Sequence, residues 1–130
     1  GLISYYDVSN RDLKVAHCSN TACTTSTITS LDTTGYVGKH SSVTIGTDGL
    51  GLISYYDETN KDLKVAHCSN INCTSAIITS LDTNGDVGLY TSVTIGIDGL
   101  PLISYYDNTN GDLKVAHCSN ILCSTSLRRR

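Results

Sequence analysis

The stretch GLISYYDVSNRDLKVAHCSN at residues 1–20 returns as GLISYYDETNKDLKVAHCSN from Gly51 and as PLISYYDNTNGDLKVAHCSN from Pro101. Leu2, Leu52 and Leu102 set a period of fifty residues in a chain of 130, giving units 1–50 and 51–100 and a partial unit 101–130. A chain written this way must fold the same way more than once. Periods of roughly 20–50 residues belong to solenoids, propellers and arrays, in which each unit hides its apolar face against the next. Residues 1–130 are therefore expected to form a single repeat domain.

Within the unit, SSVTIG at 41–46 and TSVTIG at 91–96 are β-branched runs with Val43 and Ile45 facing one way and Thr44 the other. They predict a first strand. A turn at Thr47, Asp48 and Gly49 leads to LISYY, whose large residues on both faces predict cover on both sides. Asp7 to Asp12 supplies turn chemistry, because Asn and Asp tolerate left-handed backbone. In the third strand, DLKVAHC, Leu13, Val15 and His17 share one face and Lys14, Ala16 and Cys18 the other. A loop bounded by cysteines leads to a fourth strand, STITSL at 26–31 or AIITSL at 76–81. No segment carries the i, i+3, i+4, i+7 spacing of a helix. The predicted fold class is all-β, with four-stranded antiparallel meanders packed as β-propeller blades, about 2.5 blades per chain. A β-solenoid with stacked Tyr and Asn ladders is the alternative.

The motifs ISYYD and DLKVA, and the run LDTNGDVGLYTSVTIGIDGLPLISYYD from Leu81, resemble the repeat of secreted bacterial β-propeller proteins of the sialidase-like or Asp-box-like type. The resemblance covers essentially the whole chain. It implies a disc whose second-to-third-strand turns and unit-to-unit linkers share one side, the usual ligand face. The Asp-box itself reads Ser-x-Asp-x-Gly-x-x-Trp, and this chain contains no Trp. The chain begins at a unit's second strand, and STSLRRR takes the place of the last fourth strand, where arginines are not expected to pack as Ile77 and Ile78 do. So few blades cannot close a ring, which needs at least about four. The expectation is self-association as a homo-oligomer, or membership of a longer array.

The six cysteines fall as Cys18 with Cys23, Cys68 with Cys73 and Cys118 with Cys123, one C-x4-C pair per unit. Local disulfides are the preferred reading and imply an oxidising, extracellular or secreted setting. A zinc site built from His17, His67 or His117 with its adjacent cysteines is an alternative that lacks a repeated fourth ligand, and free thiols are another. No cofactor is expected. The formal net charge of −3 gives no attraction for nucleic acid, and Arg128, Arg129 and Arg130 form only a terminal cluster. No apolar stretch approaches the roughly 20 residues a membrane-spanning helix needs, so membrane insertion is not expected.

Catalysis needs different side chains converging on one substrate, whereas residues copied three times sit in three similar surroundings. The copied residues therefore point to packing or repeated binding. His17, His67 and His117 are expected to pack between blades with hydrogen-bonded partners. Asp7, Asp57 and Asp107 open the second-to-third-strand turns, where turn capping and binding of cations or sugar hydroxyls are both open. DTNGDVG at 82–88 partly echoes a calcium loop, with Asp86 among its oxygen donors, but no acid closes it. Tyr36, His40 and Tyr90 differ between units and are placed in the linker loops of the ligand face, where exposed rings can stack on a sugar or anchor a protein. With eight Tyr and neither Phe nor Trp, buried rings must also find hydroxyl partners. The expected function is a non-enzymatic extracellular module for carbohydrate or protein binding, or for assembly. A fragment of a sialidase-like glycan-processing enzyme is the alternative.

Overall fold

A computed structural model of the chain describes residues 1–129. The chain folds into three separate sheets, and the strand that ends each full unit joins the sheet of the unit that follows. The first holds β1 (Leu2–Asp7), β2 (Asp12–Cys18) and β3 (Ser26–Asp32). The second holds β4 (Val37–Ile45), β5 (Gly51–Asp57), β6 (Asp62–Cys68) and β7 (Ala76–Asp82). The third holds β8 (Val87–Ile95), β9 (Pro101–Asp107), β10 (Asp112–Cys118) and β11 (Ser126–Arg129). Neighbouring strands are antiparallel and consecutive in sequence, and the described residues contain no helix. The rungs of a coil would instead align strands of successive units side by side in one sheet, so the solenoid alternative is set aside.

The meander follows from local chemistry repeated in register, with Ile3 opposite Ala16, Ile53 opposite Ala66 and Ile103 opposite Ala116. The turn between each unit's second and third strands closes on its first carboxylate. Asp57 accepts from the Asn60 amide at 3.0 Å and from the Asn60 side chain at 2.9 Å, and Asp107 holds Asn110 at the same distances. Asp7 accepts from the Ser9 amide at 3.0 Å and the Asn10 side chain at 2.9 Å. The next residue is left-handed in all three turns: Arg11, Lys61 and, with no steric cost, Gly111.

The core lies between the sheets. Leu13 and Val15 of the first sheet pack with Ile53, Tyr55, Ala66 and Cys68 of the second. Fifty residues on, Leu63 and Val65 pack with Ile103, Tyr105, Ala116 and Cys118 of the third. The strand β5, covered on both sides, is buried along its whole length, whereas β1 is not. Each joint is pinned by a carboxylate at the end of one sheet's last strand. Asp32 accepts from the Tyr55 hydroxyl at 2.7 Å and from Lys64 Nζ at 2.8 Å, and Asp82 accepts from Tyr105 and Lys114 at 2.7 Å each. These buried Tyr hydroxyls thus find the partners they need.

Two expectations change. The first strand of each full unit starts at Val37 or Val87, several residues earlier than the β-branched run. The arginine-bearing segment does form a strand, pairing Leu127 with His117 and Arg128 with Ala116, because the fourth strand is an outer one. Ile77 and Ile78 at the matching positions are themselves 52% and 37% exposed, and Arg128 extends to the Leu81 carbonyl at 2.6 Å. Arg130 lies outside the described residues.

Candidate functional site

The linkers between sheets run along the rim that carries the second-to-third-strand turns, and each clamps two of those turns. After β3, the Tyr36 amide donates to Thr59 Oγ1 at 2.8 Å, the Glu58 amide donates back to the Tyr36 carbonyl at 2.8 Å, and the Val37 amide donates to the Arg11 carbonyl at 3.2 Å. Asp86, Asn108, Thr109, Val87 and Lys61 repeat the pattern after β7. Gly38 follows at φ +106, where a Cβ would lie 2.7 Å from the Leu13 Cα, so the strand can cross the preceding sheet only without a side chain.

Past this crossing, β4 and β8 each carry a bulge between Lys39 and Ser42 and between Leu89 and Ser92. His40 and Tyr90 stand in these bulges at φ 56 and 54. A left-handed backbone is a steric outlier for bulky residues, and bulges re-aim the side chains they carry. Here they bring two units' side chains together. The His40 and Tyr90 rings lie 4.3 Å apart between centroids, with Tyr56 6.2 Å from His40 and Tyr106 6.5 Å from Tyr90. Tyr90 is 68% exposed. The Tyr56 hydroxyl donates to Asp86 at 2.6 Å, which holds that ring in place. Burial, then Asp86, pushes the Tyr56 hydroxyl pKa well up, and burial, then Lys39, draws the His40 pKa down, each shift favouring the uncharged form.

A groove of 490 Å³ opens on the same rim, lined by Tyr6, Val8, Arg11, Lys39 and Glu58. Lys39 pairs with Glu58 at 2.9 Å and lies 5.6 Å from the Tyr6 ring. Arg11 covers the half-exposed Tyr36 ring at 4.2 Å, a cation–π contact. The rim thus alternates rings with polar and charged groups, a mixture suited to a ligand having apolar faces and hydroxyl edges.

Of the predicted residues, the structure brings His40 and Tyr90 together and sets Asp86 behind them on Tyr56. Tyr36 stands on the same rim beside Arg11. His40 and Tyr90 lie in strands rather than in linker loops. Asp57 and Asp107 are 1% and 0% exposed and hold their own turns. Asp7 holds its turn and also pairs with Lys14 at 2.9 Å. Contacts with Asn10 and then Lys14 keep the Asp7 carboxyl well below its ordinary range. The copied histidines follow the cover of their strand face: His67 is buried on the face whose Leu63 and Val65 pack against the third sheet, and His117, on the bare third sheet, is half-exposed. His67 meets Asp48 at 2.8 Å and His117 meets Asp98 at 2.6 Å, each carboxylate coming from a turn of the same sheet. The cysteines are bonded as three local disulfides, Cys18–Cys23, Cys68–Cys73 and Cys118–Cys123, which removes the thiolates a zinc site needs. Among the described residues no helix is long and apolar enough to cross a membrane.

No protein-family model matches the sequence, and no curated protein matches it. Sequence reasoning missed Arg11, Lys39, Tyr56, Glu58 and Tyr106 as members of the rim. The Gly two residues before His40 and Tyr90, inside a strand, was the available signal for a bulge.

Proposed function

We propose that the chain is a non-enzymatic extracellular recognition module whose sheets are propeller blades of the type its repeat resembles, and that the His40–Tyr90 rim binds carbohydrate. The observation that carries this reading is the pair of matching bulges that hold a 68% exposed Tyr90 ring against His40. A left-handed backbone at a non-glycine residue costs about 1–2 kcal/mol and persists where the surroundings enforce it, here the two matching bulges. An exposed ring flanked by hydroxyl and charged groups suits the apolar face of a sugar and its equatorial hydroxyls. Weak contacts on repeated units add up through multivalency. The non-enzymatic reading rests on where the acids are: Asp32, Asp57, Asp82 and Asp107 are buried, and each serves its own turn or sheet joint. Three disulfides support an oxidising, extracellular location.

A glycan array probed with the wild type and with Tyr90→Ala tests the site. The expected outcome is binding by the wild type, at least tenfold weaker binding by the variant, and no release of reducing ends on incubation. A wild type that binds no glycan, or a Tyr90→Ala variant that binds as well as wild type, would overturn the carbohydrate reading. Binding of a protein in place of a glycan redirects it, and liberated reducing ends would contradict the non-enzymatic one.

A further inference from the structure

The same residues are covered in two units and bare in the third. Leu13 and Leu63 are each 0% exposed because the following sheet lies on them, whereas Leu113 is 68% exposed. On the opposite side of the stack, Ile53 and Ile103 are 0% exposed under the preceding sheet, whereas Ile3 is 49% exposed. Tyr55 and Tyr105 are buried and Tyr5 is not. The bare face of the third sheet, bearing Leu102, Leu113 and Val115, and the bare face of the first, bearing Ile3 and Tyr5, are thus the counterparts of the two faces that pack together at both internal joints.

We infer that these two faces bind each other between molecules, so that a second copy of this chain seats its third sheet on the first sheet of its neighbour. The occupant is named by the molecule's own internal joints, which join the same residue types twice. A hollow of 120 Å³ on the third sheet, lined by Val93, Leu102, Ser104 and Val115 among others, lies on the face that in the second sheet is filled by Ile103 and Tyr105.

Electrostatics permits the match. At the internal joints Lys64 and Lys114 reach across to Asp32 and Asp82, leaving Asp57 and Asp107 at 3.9 and 4.0 Å. In the first sheet Lys14 turns instead to Asp7 at 2.9 Å and is neutralised within its own sheet. An arriving sheet therefore meets no unpaired ammonium at this position. The first sheet also lacks the strand that β4 and β8 add to the internal joints, so this joint is the weaker one. Two different faces make the contact heterologous, and repetition of it closes a ring or extends a filament. The inference rests on the sheet stacking and is independent of what the Tyr90 rim binds.

Sedimentation of the wild type, Ile3→Asp and Leu113→Asp tests it, and both altered side chains are exposed in the single chain. The wild type is expected to rise in mass with concentration, each variant alone to stay monomeric, and a mixture of the two variants to form 1:1 dimers and nothing larger. Dimers arise because the first variant keeps a sound third sheet and the second a sound first sheet. A wild type that stays monomeric at its solubility limit, variants that associate as the wild type does, or a mixture that stays monomeric would each overturn the proposal. Leu102→Asp provides a second change on the third-sheet face should Leu113→Asp not fold, since its counterpart Leu52 is buried in the internal joint, and it is expected to pair with Ile3→Asp in the same way. Tyr90→Ala should associate as the wild type does, so failure of this joint and failure of the glycan site are separable.

Discussion

Replacing Asp32 with Asn removes the charge on which the first sheet joint turns while preserving side-chain size. The carboxylate is 3% exposed and accepts from Tyr55 at 2.7 Å, Lys64 at 2.8 Å and the Thr34 amide at 3.0 Å. Removing one partner of a buried ion pair costs about 3–5 kcal/mol when the remaining charge is stranded. Lys64 is not wholly stranded, since Asp57 is 3.9 Å away and the Lys14–Asp7 pair at 2.9 Å displays that alternative fully formed. The expected loss is therefore about 2–3 kcal/mol. For a chain of this size that lowers Tm by roughly 7–11 °C. Tyr55→Phe deletes one hydrogen bond to the same charged acceptor and should cost about 1.5 kcal/mol. Because both changes act on one carboxylate, the double variant should be more stable than the sum predicts by about 1 kcal/mol. Urea unfolding followed by circular dichroism measures all three. An Asp32→Asn variant within about 0.5 kcal/mol of wild type, the range of ordinary surface changes, would refute the reasoning, as would strict additivity.

Acid should weaken the same joints. Burial works against ionisation of Asp32 and Asp82, yet Lys64 or Lys114, the Tyr hydroxyl and a backbone amide outweigh it and lower both carboxyls from their ordinary 3.8. The unfolded chain then binds more protons, so the stabilisation is complete above about pH 4 and is lost as pH falls through the lowered folded values. Urea midpoints should fall below that point, less steeply in an Asp32→Asn, Asp82→Asn double variant, and a midpoint that stays level would contradict this. Gly38→Ala should cost well over the ~1 kcal/mol of a left-handed alanine, because its Cβ meets Leu13 backbone at 2.7 Å, while Gly49→Ala, at φ +79 with nothing within 4 Å, should cost only that. Equal losses of Tm in the two would count against the tight crossing. Each disulfide closes a short loop and should contribute about 2 kcal/mol, so Cys18→Ser with Cys23→Ser lowers the unfolding free energy from urea titration by that amount, and an unchanged midpoint would deny it.

The period of fifty residues, the all-β meander and the local cysteine pairs were legible because each depends on neighbours in sequence. What escaped depends on partners in another sheet. Asp32 reads as a turn residue because it does cap Thr34 at 3.0 Å, and nothing nearby announces that Tyr55 and Lys64 converge on its other oxygen. The His67–Asp48 and His117–Asp98 pairs repeat together at the same separation, a co-repetition that could have identified them as partners. His40 and Tyr90 were recognised as the positions that differ between units, but alternation alone could not locate the bulge that turns both rings onto one rim.

Three identical leucines make the most direct test of the stacking that underlies the account. Leu13→Ala, Leu63→Ala and Leu113→Ala, unfolded in urea at a concentration where the chain is monomeric, share one sequence context and differ only in cover, at 0%, 0% and 68% exposure. The first two should each cost about 2–5 kcal/mol and the third no more than about 0.5 kcal/mol. Comparable losses at all three positions would contradict it.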